Sequence, residues 1–305
     1  MKLNGIYTAL ITPYNLDYSI NEQALEKVIN KIIEEGVHGI VLAGSTGENY
    51  SQTLDERIHL MKLSKKFINN RVALIVGTGA LTRTEDSIKL GKEAKSLGAD
   101  AIMISSPPYA VPTSKENALN ALEIDKAVDL PILLYNYPGR TSVDMDKEFL
   151  DVVSKSKNFF AIKESSGEIK KIDFLMNNYS SIDLCCGMDD QAFDYFKAGS
   201  KSWVCAGSNF SAKAHVALWK ACTVENDFNK GEKIWAAMKP LMINLEQGGK
   251  FVQSIKFGVN LTGIDSGPPR LPLLPLNDGE KEKFEKIVNE MNKIIDEVVE
   301  GIKRL

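Results

Sequence analysis

The residue whose setting most suggests chemistry is Lys163, which ends the apolar run at residues 159–162. Four apolar residues in a row predict a strand buried on both faces, as in a parallel sheet. A buried lysine is costly as a cation, and an amine that gives up its proton becomes a nucleophile. In the simpler interpretation, Lys163 reaches solvent where the strand ends.

A second candidate is the run Gly-Ser-Thr-Gly-Glu at residues 44–48, which follows a short apolar strand. Two glycines flank the hydroxyls of Ser45 and Thr46, and the run opens towards a predicted helix. Exposed backbone N–H groups at a helix N-terminus bind carboxylates and phosphates. The run therefore predicts an anion site, although an ordinary tight turn has the same composition.

Further polar and aromatic residues follow other predicted strands. They are Tyr109, Tyr135, Arg140, Gly187, Asp189, Asp190 and Ser208. Taken singly, a tyrosine in such a place is more often a packing residue and an arginine a surface cation. Taken together with Lys163 and the anion site, they supply a nucleophile, two phenolic acid or base groups and a second place for an anion.

The elements that must position these residues alternate between strand and helix. The predicted strands cover residues 6–10, 39–42, 72–76, 101–104, 132–135, 160–163, 182–186 and 203–206. Eight such units over about 220 residues predict an α/β fold, a (β/α)8 TIM barrel, whose active site lies at the C-terminal ends of the strands. A doubly wound open sheet is the alternative, but it has fewer strands, and no GxGxxG follows the first one.

The rest of the chain predicts additional C-terminal helices. We expect a barrel domain at residues 1–226 and a helical region at 227–305, in which residues 280–302 are strongly amphipathic. No linker long enough to separate independent domains divides the two.

Composition sets outer limits on the function. The 305 residues are 44% hydrophobic and 25% charged, with a net charge of −3, which gives no reason to expect nucleic acid or an anionic membrane as a partner. We expect no signal peptide, because the N-terminus has no long apolar stretch. The four cysteines have no CxxC spacing, which predicts no disulfide framework or zinc site and favours the cytoplasm.

Three motifs resemble the pyruvate-dependent class I aldolases, the family that includes dihydrodipicolinate synthase and N-acetylneuraminate lyase. They are Gly-Ser-Thr-Gly-Glu at 44–48, Tyr-Asn-Tyr-Pro at 135–138 and Ala-Ile-Lys-Glu-Ser-Ser-Gly at 161–167. Their order and spacing match along nearly the whole chain. The resemblance implies a (β/α)8 barrel with C-terminal helices, no metal or organic cofactor, and usually a homotetramer.

The resemblance also implies roles for individual residues. Lys163 forms a Schiff base with the ketone of pyruvate, whose carboxylate is held at Ser45 and Thr46. Tyr135 shuttles protons through Ser45 to Tyr109, which in the family reaches into the neighbouring subunit's site. The remaining residues expected to contact substrate are Gly47, Arg140, Ser165, Gly187, Asp189 and Val204.

Within the family, Arg140-Thr141 after the Tyr-Asn-x-Pro run favours a dihydrodipicolinate synthase, which condenses pyruvate with aspartate semialdehyde in lysine biosynthesis. In these synthases the matching arginine binds the carboxylate of the semialdehyde. Two departures favour other members: Ser45 replaces the usual threonine, and Glu-Ser-Ser-Gly follows at 164–167 where the synthases tend to have Glu-Ala-Thr-Gly. The hydroxyl of Ser165 could serve a sugar-like substrate, as could Asp189, Asp190 and Ser208.

Three alternatives therefore stay open at this point. The first is an N-acetylneuraminate lyase or a 2-keto-3-deoxy sugar-acid aldolase. The second is a dehydratase or deaminase that acts on a 2-keto acid through the same lysine. The third, more remote, is a catalytically silent 2-keto-acid-binding protein. The sequence leaves the second substrate and the direction of the reaction undecided.

Overall fold

The computed structural model describes residues 2–79 and 81–300, and its centre is a closed barrel of parallel strands. The strands are β1 (Gly5–Ala9), β2 (Gly39–Leu42), β3 (Ala73–Gly77), β4 (Ala101–Ser105), β5 (Ile132–Asn136), β6 (Phe159–Glu164), β7 (Asp183–Cys186) and β8 (Ser202–Cys205). Each strand pairs with the next, and β8 pairs with β1. The predicted TIM barrel is confirmed, and every predicted strand end lies within about one residue of the observed end.

Helices surround the barrel and continue beyond it. They are α1 (Glu22–Glu34), α2 (Leu54–Ile68), α3 (Thr84–Ser96), α4 (Ser114–Val128), α5 (Pro138–Thr141), α6 (Lys147–Val153), α7 (Lys170–Asn178), α8 (Ala192–Lys197), α9 (Ser208–Trp219), α10 (Phe228–Gln247), α11 (Phe251–Leu261) and α12 (Asp278–Glu300). The expected additional C-terminal helices are α10, α11 and α12, and the amphipathic stretch predicted at residues 280–302 lies in α12 as far as residue 300. Its last two residues lie outside the described part of the chain.

The alternation of side chains along each strand divides the interior into two layers. Outward residues such as Ile162 and Cys186 pack against the helices, in one large cluster that also includes Met242 of α10. Inward residues such as Ala161 and Cys185 fill the barrel itself. Because successive strand residues face opposite sides, Lys163 points inward two residues after Ala161.

The described helices include no membrane-spanning segment. None of them combines the length and the apolar composition that a membrane span needs.

Candidate active site

A cavity opens at the C-terminal ends of the strands, where a TIM barrel carries its active site. Eight residues singled out from the sequence line it together: Ser45, Thr46, Tyr135, Arg140, Lys163, Gly187, Asp189 and Val204. They come from positions up to about 160 residues apart, and the closure of the barrel brings them to one mouth. What each of them does there remains a prediction.

Lys163 lies on the inner wall of this cavity and is only 8% exposed. Its neighbours in the sheet register are Tyr135 on β5 and Cys185 on β7. The Lys163 Nζ atom lies 4.3 Å from the centre of the Tyr135 ring. The amine therefore sits against the face of a phenol, inside the barrel and beside open space.

Gly187 makes room for the stem of Lys163. A Cβ atom at position 187 would lie 2.7 Å from Lys163 Cγ and 2.1 Å from Ser165 Oγ, both closer than real contacts allow. Ser165 does not line the cavity. Its hydroxyl is buried and has no hydrogen-bond partner among the described residues.

The turn that carries Ser45 and Thr46 is a single 3-10 turn, Ser45–Gly47, closed by a hydrogen bond from Gly47 N to Gly44 O at 3.1 Å. Thr46 is buried and Ser45 half-buried. The backbone then enters the left-handed region at Glu48, with φ of 58°. The run thus forms a tight turn, and Ser45 and Thr46 line the cavity. Binding of an anion at this turn remains a prediction.

Glu48, the last residue of this motif, does not line the cavity but anchors the turn. Its fully buried carboxylate lies 3.3 Å from Lys256 Nζ on α11 and accepts a 2.8 Å hydrogen bond from Arg270 N. Lys256 Nζ also donates to the carbonyl oxygens of Thr12 and Pro268. Burial lowers the pKa of Lys256 to about 8, against the opposing attraction of Glu48. Removing one partner of a buried ion pair strongly destabilises a protein, because the other charge is left buried alone. Through this pair, α11 holds the turn in place.

The loop after β5, which carries Arg140, is held by a hydrogen-bond network centred on Asn136. The buried Asn136 side chain donates to Asp144 Oδ1 and Glu164 Oε2, both at 2.8 Å, and accepts from Met145 N at 3.0 Å. Arg140 itself is exposed, and its guanidinium lies 5.3 Å from the centre of the Tyr137 ring. Glu164, the residue after the lysine, thus serves to position this loop.

Besides Ser165, the expected site residues Tyr109 and Gly47 also lie outside the cavity in the single chain. Tyr109 is 97% exposed and has a left-handed backbone, with φ of 68°. Gly47 accepts hydrogen bonds at its carbonyl from Thr12 Oγ1 and Gln52 Nε2. Within the described part of the chain, no hydrogen bond joins Tyr135 to Ser45. The proton relay from Tyr135 through Ser45 to Tyr109 therefore stays a prediction.

Asp189 lines the cavity, but its carboxylate is engaged by the protein itself. Oδ1 accepts from the Trp203 indole at 2.9 Å, and Oδ2 accepts from Ala206 N at 3.2 Å. Complete burial raises the pKa of this carboxyl above its usual range. Both oxygens support the walls of the cavity, and a role in substrate binding remains a prediction.

Glu246 also lines the cavity, and the sequence reasoning missed it. This residue of α10 accepts a 3.0 Å hydrogen bond at Oε1 from Asp189 N. Burial, and next the charge of Asp189, raise the pKa of its carboxyl. A signal did exist: Ile234, Met238 and Met242 are buried at intervals of four, and Glu246 takes the next place on that stripe.

The described residues contain no group of three or more His, Cys, Asp and Glu side chains that could hold a metal ion. The cysteines at 185, 186, 205 and 222 are free and buried.

Known proteins are similar to this chain over nearly its whole length. The model of the dihydrodipicolinate synthetase family matches residues 2–291. The 4-hydroxy-tetrahydrodipicolinate synthase of Fervidobacterium nodosum is 32% identical, over 94% of this chain and 98% of that protein. The solved synthase of Methylacidiphilum fumariolicum has a TM-score of 0.91 at 28% identity, covering 97% and 98% of the two chains. The solved dihydrodipicolinate synthase of Acinetobacter baumannii, complexed with pyruvate, has a TM-score of 0.89 at 27% identity, covering 95% and 99%.

Proposed function

Since the chain belongs to the dihydrodipicolinate synthetase family, we propose that it condenses pyruvate with aspartate semialdehyde through a Schiff base on Lys163. The observation that carries the proposal is the buried Lys163 amine, which shares one cavity with the Ser45–Gly47 turn and with Arg140. That cavity offers a nucleophile and sites for two carboxylates.

The first half of the reaction uses pyruvate alone. The lone pair of Lys163 Nζ attacks the ketone carbon, and loss of water leaves a carbon–nitrogen double bond with a positive nitrogen. That charge acidifies the methyl group, and removal of one methyl proton gives an enamine. A free phenol is a weak base at neutral pH, so we expect Tyr135 to move the proton along a hydrogen-bonded relay.

The second half forms the carbon–carbon bond. The enamine carbon attacks the aldehyde of the semialdehyde, and the new alkoxide takes up a proton. The amino group of the same substrate, once neutral, can then attack the carbon bound to Lys163. This step closes the ring and releases the lysine amine, so no water is needed to free the enzyme.

Two anion sites support this choice of substrates. Backbone N–H groups and hydroxyls at Ser45 and Thr46 suit the carboxylate of pyruvate. Arg140 suits the second carboxylate, because a guanidinium binds a carboxylate through two parallel hydrogen bonds. No carboxylate of the described residues lies within 4.0 Å of the Arg140 side chain, so it is available for a ligand.

A sugar-acid lyase is the second candidate, and one observation favours it. The hydroxyl of Ser165 is buried without a partner near Lys163, where it could bond a hydroxyl of a polyol chain once the side chains rearrange. In such a substrate the only carboxylate belongs to the pyruvate portion, and Arg140 would have no anion to bind.

The cellular compartment, the pathway and the oligomeric state of the enzyme are also proposals. Four free, buried cysteines suit a reducing cytoplasm, and the reaction would serve lysine biosynthesis. We expect a homotetramer, because the strained and exposed Tyr109 would gain a function only by contact with a neighbouring subunit.

Reductive trapping tests the proposal. Pyruvate and borohydride should add one reduced three-carbon unit to the protein, and peptide mass spectrometry should place it on Lys163. Lys163→Ala should abolish the adduct, whereas Lys157→Ala, a change at an exposed lysine, should leave it intact. Labelling at any other lysine would refute the mechanism.

Turnover then separates the two candidates. We expect pyruvate consumption with aspartate semialdehyde, and no cleavage of N-acetylneuraminate or of 2-keto-3-deoxy sugar acids. Adduct formation without turnover of any of these substrates would favour the silent binding protein.

A further inference from the structure

The cavity holds a carboxyl group that the reaction outlined above does not use. Glu246 projects from α10, outside the barrel, yet lines the same cavity as Lys163 and Arg140. It is half-buried, so a ligand in the cavity can reach it.

The bonds of Glu246 leave it with capacity to accept more. Oε1 accepts from Asp189 N at 3.0 Å, which fixes the side chain. Within the described ranges, no lysine, arginine or histidine nitrogen lies within 4.0 Å of this carboxyl. The neighbouring Asp189 is committed to Trp203 and Ala206, so Glu246 is the carboxyl of the pair that is able to bind a ligand.

The electrostatic setting shows which ligand would suit it. Burial raises the pKa of Glu246, and the charge of Asp189 adds to the effect. A carboxylate in this place is therefore short of positive charge, and a bound cation would relieve the cost.

Arg140 lacks an acidic partner, because no carboxylate of the described chain lies within ion-pair distance of its guanidinium. The guanidinium of Arg140, and a Glu246 carboxyl whose ionised form a bound cation would favour, both line the cavity of the Schiff-base lysine. Together they are complementary to the two charged groups of an α-amino acid.

We propose that Glu246 binds the ammonium group of the aldehyde substrate while Arg140 binds its carboxylate. This inference rests on the proposed function, because aspartate semialdehyde carries both groups on one carbon. The two contacts leave the aldehyde free to meet the enamine on Lys163. They also select against aldehydes that lack the amino group.

The test compares two aldehydes in two enzymes. Aspartate semialdehyde and 4-oxobutanoate differ only in the amino group, and each is offered with pyruvate to the wild type and to Glu246→Gln. Because 4-oxobutanoate has no amino group to displace Lys163, its reaction is followed as the rate of adduct formation on the enzyme, by mass spectrometry after borohydride quenching. Glutamine keeps an oxygen for the N–H of Asp189 but loses the charge. For aspartate semialdehyde kcat/KM should fall about ten- to a hundred-fold, the scale of a charge-assisted hydrogen bond. For 4-oxobutanoate the second-order rate constant of adduct formation should change less than about threefold, as should the KM for pyruvate.

The controls separate this effect from damage to the fold. Glu232→Gln makes the same change at an exposed position of the same helix and should alter neither substrate. Borohydride trapping of pyruvate should be unimpaired in Glu246→Gln, which shows that the Lys163 site is intact.

Each of the other possible outcomes would contradict the inference and point to a different cause. Equal losses with both aldehydes would assign Glu246 a structural role beside Asp189, and unchanged kinetics would remove it from substrate binding. A wild type that traps pyruvate but does not turn over aspartate semialdehyde would refute the proposed function, and this inference with it.

Discussion

Replacing Gly187 with alanine should impair Schiff-base chemistry more than it impairs folding. The added Cβ would lie 2.7 Å from Lys163 Cγ, 2.1 Å from Ser165 Oγ and 2.9 Å from Glu164 O. Ordinary contacts begin near 3.4 Å, so the lysine stem must move by about 0.7 Å if nothing else gives way. Such a shift acts directly on the amine that attacks pyruvate.

The magnitude follows from that displacement. Misplacing a reacting group by about 1 Å can cost about a hundred-fold in rate, so we expect kcat/KM for pyruvate to fall about ten- to a hundred-fold. Overpacking a close contact costs about 1–3 kcal/mol of the free energy of unfolding. The first quantity is measured as the rate of borohydride trapping and by steady-state kinetics, the second by urea unfolding.

Two further variants separate the causes. Gly187→Ala combined with Ser165→Gly removes the shortest contact but leaves those to Lys163 Cγ and Glu164 O, so stability should recover only in part while the kinetic loss persists. Gly279→Ala adds a Cβ whose nearest neighbour is 3.6 Å away and should leave activity unchanged. A Gly187→Ala enzyme with kinetics within about twofold of the wild type would show that Lys163 is not held as tightly as these distances require.

Two other changes test the roles of single rings. Tyr135→Phe should lower kcat by about two to three orders of magnitude while pyruvate trapping survives, and a near-normal kcat would make Tyr135 a packing residue. Burial lowers the pKa of His215 to about 4, so between about pH 6.5 and pH 4 the unfolded chain binds a proton that the native protein does not. Stability should therefore fall as the pH falls, by about 2 kcal/mol between pH 7.5 and pH 5 in urea unfolding. His215→Asn, which keeps a donor for the Ser211 carbonyl, should not show this loss, and an equal loss in both proteins would assign it to other groups.

The barrel was predictable because its signals are local. Each strand is an apolar run bounded by polar or glycine-rich segments, and a strand buried on both faces needs no information from a distant partner. The inward direction of Lys163 follows from the same regularity, since alternate residues face the barrel interior. The regular order of the strands therefore allows the sequence to name the residues at their ends as candidates for one shared cavity.

Other features depend on contacts that no local pattern encodes. The partners in the Glu48–Lys256 pair are 208 positions apart in the chain, and only the packing of α11 brings them together. The relay to Tyr109 is not assembled in one chain, where that side chain is almost fully exposed. The sequence could therefore single out Tyr109 as a candidate, but its proposed role depends on a surface that the single chain does not contain.

The two glutamates show what the C-terminal helices contribute to the site. Glu48 belongs to the most recognisable motif, yet it is buried against Lys256 and only anchors the turn. Glu246 belongs to no motif, yet it lines the cavity beside Lys163. Strand residues thus supply the amine and α11 steadies the turn, whereas α10 places a carboxyl group in the same cavity. It follows that a relative with the same strand ends but another residue at the position of Glu246 should keep its chemistry with pyruvate and differ in the aldehyde that it accepts.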